Sequence, residues 1–235
     1  MYRFWLNSFL TRLFVQFYHI VRSDSSGKCK KLTKFVVFCL FFDIKTIFSY
    51  TSSMCGRYRI DTNFRDMSEI YQILTEDSQP HFVGDIYPSN QAPIFTSRSL
   101  LPVFCKWGLV SFDNKKLLIN VRAETVTEKP MFSKHFIEDR CVVPCNGFYE
   151  WDSAKNKYYF TRADGKLIYL CGFCKTTNGV NSFAILTKNA TPPVSQFHHR
   201  IPVLLDENSR NEYLQNTDFA ISIVNQDTNL DLIYT

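Results

Sequence analysis

The residues best suited to chemistry begin at an internal Met54-Cys55-Gly56-Arg57-Tyr58. A methionine directly before a cysteine reads as a start. If the chain before Cys55 is absent or removed, Cys55 carries a thiol and a free α-amine on adjacent carbons. The amine titrates near ~7.7–8.0 and the thiol near ~8.5, so both are partly nucleophilic at neutral pH. Together they can trap an aldehyde: the amine forms an imine, and the thiol closes it into a five-membered ring. The plainer reading is a chance methionine before a structural cysteine, which behaves as a small hydrophobe.

Three further segments concentrate polar groups. In Leu118-Ile119-Asn120-Val121-Arg122-Ala123-Glu124-Thr125, residues Asn120, Arg122 and Glu124 alternate along an expected extended segment. Arg122 could grip a phosphate in fork geometry or simply pair with Glu124. Phe148-Tyr149-Glu150-Trp151 sets one carboxylate among three aromatics. Such surroundings raise a carboxyl pKa by desolvation and suit a general acid or base, whereas a solvated glutamate on an amphipathic strand would do nothing. His198-His199-Arg200-Ile201-Pro202 joins a Thr/Pro-rich loop to an apolar run, a position from which a histidine could shuttle protons.

The eight cysteines stand at 29, 39, 55, 105, 141, 145, 171 and 174. Cys171-Gly172-Phe173-Cys174 could be half of a zinc or redox site, with Cys141 and Cys145 as the other half. The apolar run around Cys171, and Pro144 and Gly147 flanking the other pair, favour core packing, so no metal is expected. With two cysteines outside the expected domain, a disulfide framework is not expected either, which fits a reducing compartment.

The elements that must position these groups are short. Strand signals cover 56–60, 102–107, 158–162, 167–173, 182–187 and 201–205, with Ala163-Asp164-Gly165-Lys166 as a hairpin turn. Apolar spacing marks a helix over 66–74 and weaker ones over 127–137 and 209–214. The mixture predicts an α+β fold with a mainly antiparallel, partly closed sheet and peripheral helices.

Residues 1–53 differ in kind. They contain no Ala, Pro or Glu, one Gly and thirteen aromatics. Their charge-free stretches are too short to span a bilayer. The extension reads as a mis-assigned start or a cleaved leader, and 54–235 as one domain. An Arg-containing, acid-poor beginning also resembles an organelle presequence, the lesser alternative to a cytoplasmic or nuclear location. The extension holds eight basic and two acidic residues of the total 27 and 22, leaving 19 against 20 in the domain. Global charge therefore gives no sign of nucleic-acid binding by the domain.

In combination these segments resemble the SRAP family (SOS response associated peptidases). The resemblance runs through Met54-Cys55-Gly56-Arg57-Tyr58, Tyr87-Pro88-Ser89-Asn90-Gln91-Ala92-Pro93, Lys106-Trp107-Gly108-Leu109-Val110, Asn120-Val121-Arg122-Ala123-Glu124-Thr125, Arg140 to Trp151 and His198 to Val203, in the family's order. It implies the compact SRAP fold and covalent capture of abasic sites in single-stranded DNA by Cys55 as a thiazolidine, with an associated autoproteolytic activity. It implies that Asn120 fixes the cysteine, that Glu150 assists proton transfer, and that His198 promotes sugar ring opening and reversal. Arg57 and Arg122 match basic residues near DNA phosphates, and Trp107 an aromatic beside the bases. No cofactor, metal or membrane is implied, and a monomer is expected. Two other classes fit the same residues: a cysteine hydrolase using Cys55, His198 and Glu150 on a separate substrate, and a non-catalytic reader of modified DNA.

Overall fold

The computed structural model describes residues 55–74, 83–111, 116–177, 179–227 and 230–235. The expected extension over 1–53 lies outside them. In chain order the elements are β1 (Tyr58–Ile60), α1 (Arg65–Leu74), β2 (Gly84–Ile86), β3 (Gln91–Thr96), β4 (Ser99–Trp107), β5 (Leu109–Val110), β6 (Leu117–Leu118) and β7 (Asn120–Arg122). There follow α2 (Pro130–Glu138), β8 (Arg140–Cys145), β9 (Gly147–Trp151), β10 (Lys157–Arg162), β11 (Ile168–Thr177), β12 (Val180–Asn189), β13 (Arg200–Pro202), β14 (Leu204–Leu205), α3 (Glu207–Gln215), α4 (Thr217–Asn225) and β15 (Leu232–Tyr234). Among the described residues no helix is long and apolar enough to cross a membrane.

The expected α+β class is what the structure has. Strands β3, β4, β12, β11 and β8 pair in a closed ring, a small barrel in which only the β4–β12 step is parallel. Closure removes open strand edges. Phe173 and Phe183 are fully buried, each burial stabilising by about 1.5–3 kcal/mol. Strand β8 is buried at all six positions. A strand covered on both faces reads as a continuous apolar run without alternation, so Arg140–Cys145 carried no strand signal in the sequence.

A second, antiparallel sheet runs β15-β10-β9-β1-β2. One face carries Tyr58, Ile60, Ile86, Phe148 and Phe160, all fully buried. The opposite face, one residue out of phase, carries Arg57, Arg59, Asp85 and Tyr149. Asn146 joins β8 of the barrel to β9 of this sheet. Its N–H donates to Arg59 O at 2.9 Å and its Oδ1 accepts from Asp61 N at 2.7 Å, so the joint also fixes β1. Gly147 follows because a Cβ there would lie 2.4 Å from Phe160 O.

The helices are peripheral. On α1 the buried residues Met67, Ile70, Tyr71 and Leu74 recur at helical spacing. Asp206 and Asn216 cap α3 and α4 by accepting from Ser209 N and Phe219 N. Arg140, only 3 % exposed, closes the C-terminal ends of two helices. It donates to Phe136 O and Ile137 O of α2, and to Tyr213 O and Leu214 O of α3.

Two expectations are corrected. Residues 163–166 do turn, with Gly165 at φ +72°, but β10 and β11 belong to different sheets, so this is a crossover and no hairpin. The extended segment expected through Glu124 ends at Arg122, where a 3-10 turn spans Ala123–Thr125. The alternation breaks there and Glu124 points elsewhere.

Candidate functional site

Cys55 stands immediately before β1, and β1 pairs with β9 through Tyr58↔Phe148. Continued two residues outward, that register sets Gly56 opposite Glu150. The Glu150 side chain leaves β9 on the buried face, where the residue is 2 % exposed. The Cys55 backbone N–H donates to Glu150 Oε1 at 2.6 Å. Cys55 Sγ lies 3.8 Å from Arg57 O, and the residue is fully buried.

Asn120 enters from the other side of the fold. It opens β7, which pairs in parallel with β12 at Ile185↔Asn120. Its Nδ2 donates to Cys55 O at 3.2 Å. Cys55 is thus held at nitrogen by Glu150 and at oxygen by Asn120. His198 lies between the 3-10 turn Val194–Gln196 and β13, its N–H donating to Val194 O at 3.0 Å. Its Nδ1 is 3.6 Å from Glu150 Oε2. The structure therefore brings together Cys55, Asn120, Glu150 and His198 from four separate segments.

The electrostatics follow from burial. Desolvation pushes the Glu150 carboxyl up to about 8, against the opposing hydrogen bonds from the Cys55 and Trp151 amides. Burial holds the His198 imidazole below its usual value. Around neutral pH the pair is therefore a protonated carboxylic acid beside a neutral imidazole, the reverse of the ordinary order. Burial, then the nearby Glu150, pushes the Cys55 thiol up as well.

Arg200 holds the histidine in place. Its guanidinium Nη2 donates to Glu124 Oε2 at 2.8 Å, and Nη1 to Asn189 Oδ1 at 2.8 Å. His198 Nδ1 lies 3.2 Å from the Arg200 backbone nitrogen and 3.1 Å from the Arg200 carbonyl oxygen, so both main-chain groups of Arg200 fix the ring's orientation. Glu124 is therefore the partner of Arg200, and the alternative Arg122–Glu124 pair is not formed. Sequence reasoning missed this pairing, since 76 residues separate the two.

The remaining candidates divide. Arg122 closes β7 opposite Thr187 of β12, and the residue is exposed. Arg57 sits over the rings of Tyr87 at 4.5 Å, Trp151 at 5.2 Å and Tyr149 at 5.6 Å. Trp107, expected beside the bases, is a correction: it is fully buried, packed between Tyr58 and Phe183, and offers no ring face to a ligand. Its Nε1 donates to Ile119 O at 3.0 Å, so it positions the residue before Asn120. The aromatics that do reach the surface beside Arg57 are Tyr87 and Trp151. Tyr87 was legible as part of a motif and Trp151 as a neighbour of Glu150.

Cys171 and Cys174 do not form a pair. Three positions along a strand put them on opposite faces. Both are free cysteines, Cys171 buried and Cys174 partly exposed.

Comparison with known proteins finds relatives over the described part of the chain. A family profile described as SOS response associated peptidase (SRAP) matches residues 54–228. Abasic site processing protein YoqW of Bacillus subtilis is 29 % identical over 192 residues, which cover 70 % of this chain and 83 % of that one. Abasic site processing protein YobE of the same organism is 28 % identical over 204 residues, covering 70 % and 84 %. A crystal structure from Bacteroides thetaiotaomicron shares the fold with a TM-score of 0.64 at 20 % identity, covering 77 % of this chain and 90 % of that one. One from Bordetella bronchiseptica gives 0.63 at 18 % identity, covering 77 % and 98 %. The family profile spans every residue gathered around Cys55, and on that match the chain belongs to the SOS response associated peptidase (SRAP) family.

Proposed function

We propose that this protein processes abasic sites in DNA, and that it does so by covalent capture on Cys55 as an N-terminal residue. The names of the relatives support the substrate. The observation that carries the chemistry is the 2.6 Å contact between the Cys55 nitrogen and Glu150 Oε1. In the full-length chain that nitrogen is a peptide amide and stands in for the α-amine that exists once residues 1–54 are gone.

The same contact serves leader removal. Hydrolysis of the Met54–Cys55 bond consumes one water and leaves a carboxylate on Met54 and an amine on Cys55. Glu150, protonated near neutral pH, is placed to give its proton to the departing nitrogen. This intramolecular cleavage is the peptidase-like activity.

In the capture step an abasic deoxyribose first opens from hemiacetal to aldehyde. The acid–imidazole pair of Glu150 and His198 supplies the proton donor and acceptor for that opening. The neutral amine adds to the aldehyde carbon, and the resulting hydroxyl leaves as water with a proton from Glu150. The thiol then adds across the C=N bond, its proton passing to nitrogen. Aldehyde plus aminothiol gives thiazolidine plus one water. An abasic site suits this chemistry because the missing base costs no extrusion.

The test uses protein beginning at Cys55 and an abasic single-stranded oligonucleotide. A heat-stable adduct on a denaturing gel, absent in Cys55→Ala and after acetylation of the α-amine, is the expected result. Retention of activity after amine blocking would instead identify a cysteine hydrolase. Equal adduct formation by Cys55→Ala would falsify the reading.

A further inference from the structure

The outer face of the second sheet carries an arrangement that the capture chemistry does not use. Arg57, immediately before β1, and Arg59 within it project from the same face, two residues and so about 6.7 Å apart. Asp85 on β2 is in register opposite Arg59. Its Oδ2 lies 3.5 Å from Arg57 Nη1, and its Oδ1 lies 3.4 Å from Arg59 Nη1. The Tyr149 hydroxyl donates to the same Oδ1 at 2.9 Å. Two guanidiniums and a phenol gathered on two anionic oxygens form a set that also suits a phosphodiester.

The carboxylate fits this set loosely. Charge-assisted N–H···O bonds are ordinarily about 2.7–2.9 Å long, and both arginine contacts exceed that. Arg57 Nε is buried with no acceptor among the described residues. Asp61 adds only a 3.8 Å contact to Arg59. Asp85 is a quarter exposed, so water and solutes reach the pair.

We propose that Asp85 is the internal occupant of an anion site made by Arg57, Arg59 and Tyr149, and that a backbone phosphate of the single strand displaces it. The exchange swaps one anion for another and breaks no covalent bond. Its consequence is specificity. An uncompensated arginine pair binds any polyanion, whereas one that must first give up its own carboxylate binds intact DNA weakly. Retention then depends on the covalent step at Cys55. This inference rests on DNA being the substrate, as proposed above, and adds Asp85, Arg59 and Tyr149 to the strand-binding surface.

The test measures binding of an undamaged thymidine homopolymer, which cannot crosslink, across a salt series. Asp85→Asn is expected to tighten binding roughly threefold to tenfold, the weight of one or two partly exposed ion pairs. The slope of log K against log salt should steepen by about 0.7 for the phosphate newly engaged. Arg59→Gln should weaken binding and flatten the slope by about the same amount, which keeps the idea testable should Asp85→Asn fold poorly. Unchanged affinity and slope in both variants overturns the inference. Abasic crosslinking by the same proteins separates the two ideas. Capture without any Asp85 or Arg59 effect sinks only the anion site, whereas the shifts without capture sink only the thiazolidine reading.

Discussion

The Cys55 nitrogen and Glu150 Oε1 meet at 2.6 Å inside the fold, although 95 residues separate them in the chain. The contact depends on β1 and β9 lying side by side and on the glutamate facing inward among aromatics. Replacing that carboxyl by an amide keeps the acceptor and removes the proton. Glu150→Gln is therefore expected to slow both leader removal and adduct formation, by about 10²–10⁴-fold if general acid catalysis is its full role. Parallel time courses of precursor cleavage and crosslinking measure both. Unaltered rates in the two assays would take Glu150 out of the mechanism.

Burial of Glu150 also makes stability depend on pH. Its carboxyl is raised in the folded state to about 8 from an ordinary carboxylate value. A raised pKa contributes stability that is complete below the unfolded value and is lost as pH climbs through the folded one. The window is therefore roughly pH 4.5 to 8. Glu150→Gln, which cannot ionise, should lose less stability than wild type between pH 5 and pH 8.5. In a chain of this size each kcal/mol moves the melting temperature by about 2–4 °C. Melting curves that shift in parallel for both proteins would contradict the assignment.

His198 differs from Glu150 in what it is asked to do. A neutral imidazole beside the acid is needed to open the sugar ring, and less so once an aldehyde is already free. His198→Ala should slow capture of an abasic deoxyribose by about 10²-fold or more. It should slow capture of a small open-chain aldehyde by much less. Mass spectrometry of the two adducts gives the ratio, and equal losses on both would move His198 from ring opening to a general supporting role.

Cys55, Glu150 and His198 were legible as candidates because each signal is local: a cysteine beside a potential terminus, a glutamate among aromatics, a histidine at a loop edge. Asn120 joined this candidate quartet through the family resemblance. What joins the quartet was not legible. Glu124 looked like a partner for Arg122 because alternation was carried one turn too far, and the 3-10 turn at Ala123–Thr125 hands it to Arg200 instead. Trp107 was expected beside the bases only because the resemblance implied it; closure of the barrel puts it between Tyr58 and Phe183. Strand β8 escaped notice because burial on both faces erases the two-residue period. The α+β class needed none of these details, since many short strand signals and few helices already point to it.

Arg140 offers a test of the frame that carries the site. Its guanidinium serves four carbonyls at the ends of α2 and α3, and burial lowers its pKa. Arg140→Ala leaves those carbonyls without their donor and removes a buried stem. A loss of about 3–5 kcal/mol is expected, as for one-sided removal of a buried charged partner. Denaturant melts provide the measurement, and a change under about 1 kcal/mol would mean water replaces the guanidinium without cost.

Gly147 tests whether the site depends on the joint between barrel and sheet. A Cβ at this position would meet the Phe160 carbonyl at 2.4 Å and the Tyr159 ring at 2.7 Å. The first obstacle is backbone, which cannot swing aside as a side chain can. Gly147→Ala must therefore push β9 away from β10, and Glu150 lies three residues further along that strand. The substitution touches no group in the site, yet it should lower crosslinking along with stability. Stability alone would fall if β9 yielded only near Gly147. Adduct yield measured at a temperature where the variant remains folded by circular dichroism separates the outcomes. Wild-type yield there would show that the Cys55–Glu150 contact survives movement of its strand.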